Sequence, residues 1–311
     1  MKIAIIGTGV MGRGWITQCA MTGNEVHCHD ANPDILAGTV KACIDLAEKT
    51  AKRFKITEAD FAAATGRRIT TYSDKAAFVA AAGGCDVFLE VIFEDMQLKR
   101  RVLGELLPQL PEQVMFWSNT SSLDIDKLAD AGGRPERSII THGFNPVPMM
   151  AGVEVVPGAG TSPETVEFTR RALLAMNKAP FLAPNIPGFW VNRLLVPMAL
   201  DAVRLLEQGR IRVEDGDVGL NTSLGHPQGV FKLLDFVSTP TMLRVALEML
   251  LASNDPRLYP PQLLVRMVRN GEYGAGSGKG FYDWSDPRRP APRDLSHYVV
   301  GTAEQMTAAL K

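Results

Sequence analysis

The sequence predicts an α/β fold: a parallel sheet with crossover helices over the first 184 residues, then a helix-rich region. Two observations carry this. Up to residue 184, short β-branched or apolar runs alternate with helical patterns, the signal of parallel strands joined by helices. From Pro187 strand signals almost vanish, and Val191, Leu194, Leu195, Met198, Val203 and Leu206 recur at helical spacing until Gly209 stops the run. The expected domains are residues 1–185 and 186–311.

Strands are predicted at Lys2–Ile6, Glu25–His29, Ile69–Thr71, Asp86–Val91, Val114–Ser118, Ser138–His142, Val153–Val156 and Pro180–Ala183. Helical patterns cover Trp15–Met21, a stretch from near Ile35 to a basic end at Lys49, Lys52, Arg53 and Lys55, and Leu123–Ala129. Thr57 with Asp60 reads as a variant capping box. Ser162-Pro163-Glu164 reads as an N-cap, a first-turn proline and an acidic first turn. A long helix is expected from Pro187, then helices over Asp235–Ala252 and Pro261–Asn270, a glycine-rich Gly271–Gly280, and Phe281-Tyr282-Asp283-Trp284. Residues 287–311, broken by Pro287, Pro290 and Pro292 before a short helical pattern, read as a surface tail or partner-contacting arm.

With 46% hydrophobic and 22% charged residues and a formal charge of −1, the 311-residue chain is an ordinary globular protein. Basic and acidic residues balance in both halves, which argues against a nucleic-acid partner. Cys19, Cys28, Cys43 and Cys85 show no CxxC spacing and read as small buried residues in a reducing compartment, with no metal site. The MKIAIIG start is too short for a signal peptide, and no apolar run is long enough to span a membrane, so a soluble cytoplasmic protein is expected.

The first strand runs into Gly7-Thr8-Gly9-Val10-Met11-Gly12, a helix follows, and the next strand ends at Asp30. A GxGxxG pattern alone is weak, but in this strand–loop–helix–strand context it marks a dinucleotide site. Gly7 permits the tight turn, Gly9 the approach of a pyrophosphate, and Gly12 close packing of helix on strand. The helix N-terminus offers free N–H groups to phosphates. Asp30 would accept bonds from ribose hydroxyls and repel a 2′-phosphate, which favours NAD over NADP; FAD shares the fingerprint and ranks below NAD.

His142 stands at the end of a predicted strand, where ligands collect in open α/β sheets, and is placed to act as a general base; taken alone it reads equally as a hydrogen-bonded structural histidine. Glu154 interrupts the apolar Val153-Glu154-Val155-Val156, where a charge is costly unless paired, so the two have a joint role. Ser118-Asn119-Thr120-Ser121-Ser122 carries more hydroxyl and amide groups than a turn and a helix cap need, which suggests a polar site. Asn192, an amide among apolar neighbours, reads by itself as a solvated or capping residue sooner than as a catalytic one. The basic run at Lys49–Lys55 reads equally as a solvated helix end and as an anion site.

Together these segments resemble the L-3-hydroxyacyl-CoA dehydrogenase family, which includes the 3-hydroxybutyryl-CoA dehydrogenases. The similarity runs from the GxGxMG opening through Glu90–Lys99, SNTSS, His142-Gly-Phe-Asn-Pro-Val-Pro and Val153-Glu-Val-Val to Pro187-Gly-Phe-Trp-Val-Asn-Arg, Gly225-His-Pro and Gly280-Phe-Tyr. It implies an N-terminal Rossmann-like domain with an eight-stranded, mostly parallel sheet, and a C-terminal all-helical domain that contributes to the substrate site and forms a homodimer. By resemblance His142 is the catalytic base and Glu154 its orienting partner. Ser121 and Asn192 bond the substrate hydroxyl and thioester carbonyl. Glu94, Lys99 and Asn145 contact the cofactor beside Gly7, Gly9, Val10, Met11, Gly12 and Asp30, and Lys52 or Arg53 meets the CoA phosphates. The implied substrate is a small molecule, an acyl-CoA, oxidised at C3 with NAD.

The chain also departs from the family pattern. Gly143 stands where the family commonly has phenylalanine, Ala151-Gly152 where it has lysine and leucine, and Ala275 and Gly276 where a cofactor-holding lysine is usual. A differently shaped or more open pocket is expected. Two other functions therefore stand beside the first: a dehydrogenase of a free 3-hydroxy acid, like the L-carnitine and L-gulonate dehydrogenases, and a catalytically silent NAD-binding protein of the lens-crystallin kind. Ser121, His142, Glu154 and Asn192 all being present argues against the silent reading.

Overall fold

The computed structural model describes residues 1–296 of the chain. The chain divides into two compact units, Met1–Phe189 and a second beginning at Trp190.

The first unit is built in the order β1 (Lys2–Ile6), α1 (Val10–Met21), β2 (Glu25–His29), α2 (Pro33–Ala37), α3 (Thr39–Phe54), α4 (Phe61–Arg67), β3 (Ile69–Tyr72), α5 (Lys75–Ala82), β4 (Val87–Glu90), α6 (Met96–Leu106), β5 (Met115–Ser118), α7 (Ile125–Gly132), β6 (Ser138–Gly143), β7 (Gly152–Pro157), α8 (Pro163–Ala175) and β8 (Ala179–Leu182). The sheet has eight strands in the order β3-β2-β1-β4-β5-β6-β7-β8. Pairing is parallel except between β6 and β7, so β7 and β8 run opposite to the rest. The mostly parallel sheet expected from the resemblance is the one observed.

Alternation along the strands gives each face its own core. Ile3, Ile5, Val26, Cys28, Trp117 and Ile139 pack with Trp15 of α1 and Leu173 of α8. Ala4, Ile6, Phe88, Ile140 and Val156 pack on the other face with Phe78 of α5, Leu103 of α6 and Leu128 of α7. A sheet covered on both faces explains why its strands read as near-continuous apolar runs. All four cysteines are free and buried within this unit.

Several local expectations change. The stretch from Ile35 is two helices, broken at Gly38 where Arg13 Nη2 takes the Ile35 carbonyl at 2.9 Å. Thr57 caps nothing: α4 starts at Phe61, and its N-cap Asp60 makes no side-chain cap. Ser162 does cap α8, accepting from the Thr165 N–H at 3.2 Å, with Pro163 in the first turn.

In the second unit α9 (Val191–Glu207), α10 (Val213–Leu224), α11 (Val230–Val237), α12 (Thr239–Ser253) and α13 (Gln262–Arg269) enclose a core of residues such as Leu200, Val203, Phe231, Met249, Leu264 and Phe281. The helix expected from Pro187 starts at Val191. The helix expected over Asp235–Ala252 is broken at Ser238, φ +76°, because Pro240 has no N–H to continue α11; Ser238 then caps α12. Among its described residues the unit's only strands are a two-stranded antiparallel pair, β9 (Tyr282–Asp283) and β10 (Ala291–Pro292). The Phe281 and Tyr282 N–H groups bond to Asp235, each at 2.8 Å, which holds the end of the glycine-rich loop extended. The expected C-terminal arm lies, beyond residue 296, outside the described residues. Among the described residues no helix is long and apolar enough to cross a membrane.

Candidate active site

The strand order turns outward in both directions from β1 and β4, and the loops after these two strands border the crevice where open α/β sheets bind ligands. After β1, Gly7 takes φ +95°, and a Cβ on it would lie 2.4 Å from the Val91 carbonyl oxygen. A Cβ on Gly12 would lie 2.0 Å from the Gly7 carbonyl oxygen, so only glycine lets α1 start this close to the strand. Around Gly9 a Cβ would meet nothing within 4 Å, and Val10 beside it is exposed, so the backbone there is open to a ligand. The first turn of α1 carries no acidic side chain, and its N–H groups have no intrahelical acceptors.

Asp30 follows β2 and braces this loop. Its Oδ2 accepts from the Thr8 N–H at 2.7 Å and its Oδ1 from the Asn32 N–H at 2.9 Å. Two carboxylate oxygens offer about four acceptor sites, so capacity for ribose hydroxyls remains. The glycine cradle, the bare helix end and this half-buried carboxylate fit a dinucleotide.

After β4 a buried charge cluster forms. Glu90, fully buried, accepts from Lys99 Nζ at 2.7 Å, Ser118 Oγ at 2.7 Å and the Ile92 N–H at 2.7 Å. Lys99 also lies 3.1 Å from Glu94. Burial alone would lower the Lys99 pKa, but the two carboxylates outweigh it and hold it above its ordinary value. Burial likewise pushes Glu94 up, and Lys99 with the bonds from Thr120 and Ser121 reverses this, leaving Glu94 below the usual range. At 1% exposure Lys99 offers no free charge to the surface; it holds Glu94.

The SNTSS segment serves this cluster instead of standing free. Glu94 Oε1 accepts from Thr120 Oγ1 at 2.5 Å, the Ser121 N–H at 2.9 Å and, more weakly, the Ser121 and Ser122 hydroxyls at 3.3 Å. Asn119 Oδ1 accepts from Trp15 Nε1 at 2.6 Å and the Gly143 N–H at 3.1 Å. The cap of the following helix is Asp124, and that helix is Ile125–Gly132, not Leu123–Ala129.

His142 and Glu154 are cross-strand partners on β6 and β7. His142 Nδ1 lies 2.7 Å from Glu154 Oε2, with Glu154 fully buried and His142 7% exposed. The rings of Phe144 and Phe189 stand 4.8 and 5.7 Å from the imidazole, centroid to centroid. Asn145 is exposed in the loop after β6, and the ammonium of buried Lys178 holds this loop through the Val147 carbonyl and, at 2.9 Å, that of Met150. Lys52 and Arg53 are exposed at the C-terminal end of α3. Asn192 is half-buried in the first turn of α9, in the second unit.

Residues 94, 99 and 121 are thus brought together, as are 142 and 154. Glu90, Trp15 and Lys178 were not singled out from the sequence, and Asn119 was read only as one of five polar residues in a row. Glu90 carried the same signal as Glu154, a charge closing an apolar strand. Of the two expectations for Gly143, a differently shaped or a more open pocket, the more open one does not hold at this point: Trp15, with no exposure, fills the space, and a Cβ at 143 would lie 2.9 Å from its Cζ2.

Residues 2–186 match the 3-hydroxyacyl-CoA dehydrogenase NAD-binding domain, and residues 188–284 the 3-hydroxyacyl-CoA dehydrogenase C-terminal domain. The mitochondrial hydroxyacyl-coenzyme A dehydrogenase of Sus scrofa is 36% identical over 290 residues, covering 91% of this chain and 90% of that one. A 3-hydroxybutyryl-CoA dehydrogenase of Bradyrhizobium diazoefficiens is 32% identical, covering 94% and 97%. The crystal structure of (S)-3-hydroxybutyryl-CoA dehydrogenase from Ralstonia eutropha superposes with a TM-score of 0.82 at 33% identity, covering 92% and 99%. With both halves matched and the similarity spanning nearly the whole chain, the protein belongs to the 3-hydroxyacyl-CoA dehydrogenase family.

Proposed function

We propose that the protein interconverts an (S)-3-hydroxyacyl-CoA and its 3-ketoacyl-CoA with NAD, using His142 as acid and base. Family membership supports the reaction and substrate class, and the His142–Glu154 pair is the observation that carries the residue assignment. With Nδ1–H donated to Glu154, the Nε2 lone pair is left to receive the C3 hydroxyl proton. The imidazolium that forms is stabilised by a carboxylate with no exposure to water. NAD, when bound, supplies the acceptor for the C3 hydride. Reduction runs with protonated His142 returning its proton to the ketone oxygen.

Ser121 holds the substrate hydroxyl, and its link to Glu94 ties that contact to the cofactor-side cluster formed with Lys99. Asn192 bonds the thioester carbonyl, Asn145 and Glu94 contact the cofactor, and Lys52 and Arg53 pair with CoA phosphates. Phe144 and Phe189 keep water from the imidazole. The helical unit forms a homodimer, and the four unpaired thiols fit a cytoplasmic setting.

The test is NADH oxidation with acetoacetyl-CoA, beside NAD reduction with 3-hydroxyacyl-CoA thioesters, carnitine and gulonate. Thioester turnover is expected. Turnover of the free acids alone would overturn the substrate assignment. His142→Ala is expected to lose on the order of 10²–10⁴-fold in kcat, and unchanged turnover would remove His142 from the reaction.

A further inference from the structure

We infer that Trp15, acting through Asn119, is a positioning residue that sets the backbone beside His142; the inference rests on the role proposed above for His142. The ladder between β5 and β6 ends at the Ser118–Ile140 rung. Strand β6 runs on to Gly143, held on its far side by the His142–Glu154 and Gly143–Val153 rungs with β7. Toward β5 the Gly143 N–H goes instead to Asn119 Oδ1 at 3.1 Å, so a side chain continues the ladder where backbone no longer does.

The same oxygen accepts the Trp15 indole N–H at 2.6 Å. Two donors on one atom leave the amide a single orientation, because an amide nitrogen could accept neither. Trp15 can stand there only because residue 143 has no side chain: a Cβ would lie 2.9, 3.2 and 3.3 Å from indole Cζ2, Cε2 and Nε1. A phenylalanine at 143 would fill this volume from the strand and bring no N–H. Here the ring comes from α1 and brings one. The bridge joins the segment that leads into Ser121 to the strand that carries His142, the two groups that must meet one substrate oxygen.

Trp15→Phe keeps a buried ring and removes the donor. The expected result is a folded protein with NADH affinity nearly unchanged and kcat lowered about tenfold, while KM for the thioester moves less than kcat. The double variant Trp15→Ala with Gly143→Phe returns a ring to the same volume without the donor. It is expected to recover thermal stability relative to Trp15→Ala and not to recover kcat, and it decides the question even if Trp15→Phe does not fold. Parental kcat in either variant overturns the inference, since volume alone would then suffice. His142→Ala in the same assay separates the two levels. If it leaves turnover intact, the reading of the site fails; if it abolishes turnover while Trp15→Phe does not lower it, only the role of Trp15 fails.

Discussion

His142 and Glu154 share one rung of the antiparallel β6–β7 pair, with Nδ1 2.7 Å from Oε2 and the carboxylate wholly buried. Side chains directly opposite on such a rung meet without either strand having to distort. The antiparallel turn of β7 in an otherwise parallel sheet is therefore what delivers the glutamate to the histidine. Glu154→Gln keeps the size and offers an amide N–H to Nδ1, which favours the wrong tautomer. Its kcat is expected to fall on the order of 10²-fold or more with NADH binding retained, measured by steady-state rates and cofactor titration. Parental kcat would show that Glu154 does not orient the ring.

Asp30 bonds the Thr8 N–H at 2.7 Å and thereby holds the phosphate loop while it faces the ribose position. Asp30→Ser removes the charge that repels a 2′-phosphate. The ratio of kcat/KM with NADP to that with NAD is expected to rise by at least about tenfold, worth ~1.4 kcal/mol. The variant is also expected to melt lower, because the Thr8 N–H loses a charged acceptor. An unchanged ratio would mean that Asp30 braces the loop without selecting the cofactor.

Much of the first unit was legible because a sheet covered on both faces writes itself as apolar β-branched runs. All eight of its strands fall where those runs predict, with no end shifted by more than one residue. Helix breaks were harder. Pro240 was visible, but the break at Ser238 also required a residue at φ +76°. In the site, Glu154 stood out as a charge among valines, and its partner was the nearest histidine in a neighbouring strand. Trp15 did not stand out, and Asn119 did so only as one of five polar residues in a row; the bond between them spans 104 residues, and nothing in either segment pairs them. Gly143 left two readings, a reshaped or a more open pocket, and only the position of Trp15 removes the open one there.

Lys178 is buried, and its ammonium meets backbone carbonyls of Val147 and Met150. Burial lowers its pKa from the ordinary 10.5 to about 8. Between those two values the unfolded chain holds the proton and the folded one does not, so this residue's contribution to stability rises with pH. Below pH 8 both states are charged and the contribution is flat. Denaturant unfolding at several pH values should therefore show parent stability gaining on that of Lys178→Met between pH 8 and 10.5. A constant gap would show that the lysine stays charged in the fold. The variant also frees the loop carrying Asn145, and a weaker hold on NADH is expected beside the stability change.

Asp235 of α11 organises the end of the second unit. Its carboxylate accepts from the Phe281 N–H, the Tyr282 N–H and Trp284 Nε1, each at 2.8 Å, and the residue is 1% exposed. Gly280 lies so close that a Cβ there would fall 2.0 Å from Asp235 Oδ1. The Gly-Phe-Tyr motif, seen in the sequence as a family mark, is thus a receptor for a buried carboxylate. Asp235→Asn replaces one acceptor oxygen with an NH₂ group facing buried donors, and should cost about 2 kcal/mol. Asp235→Ala leaves all three donors without an acceptor and should cost ~3 kcal/mol or more. Gly280→Ala should destabilise as well, because the methyl group displaces the carboxylate itself. Urea unfolding followed by tryptophan fluorescence, with Trp284 as a local probe, measures all three. If Asp235→Ala unfolds at the parental midpoint, the loop is held by packing of Phe281 and not by the aspartate.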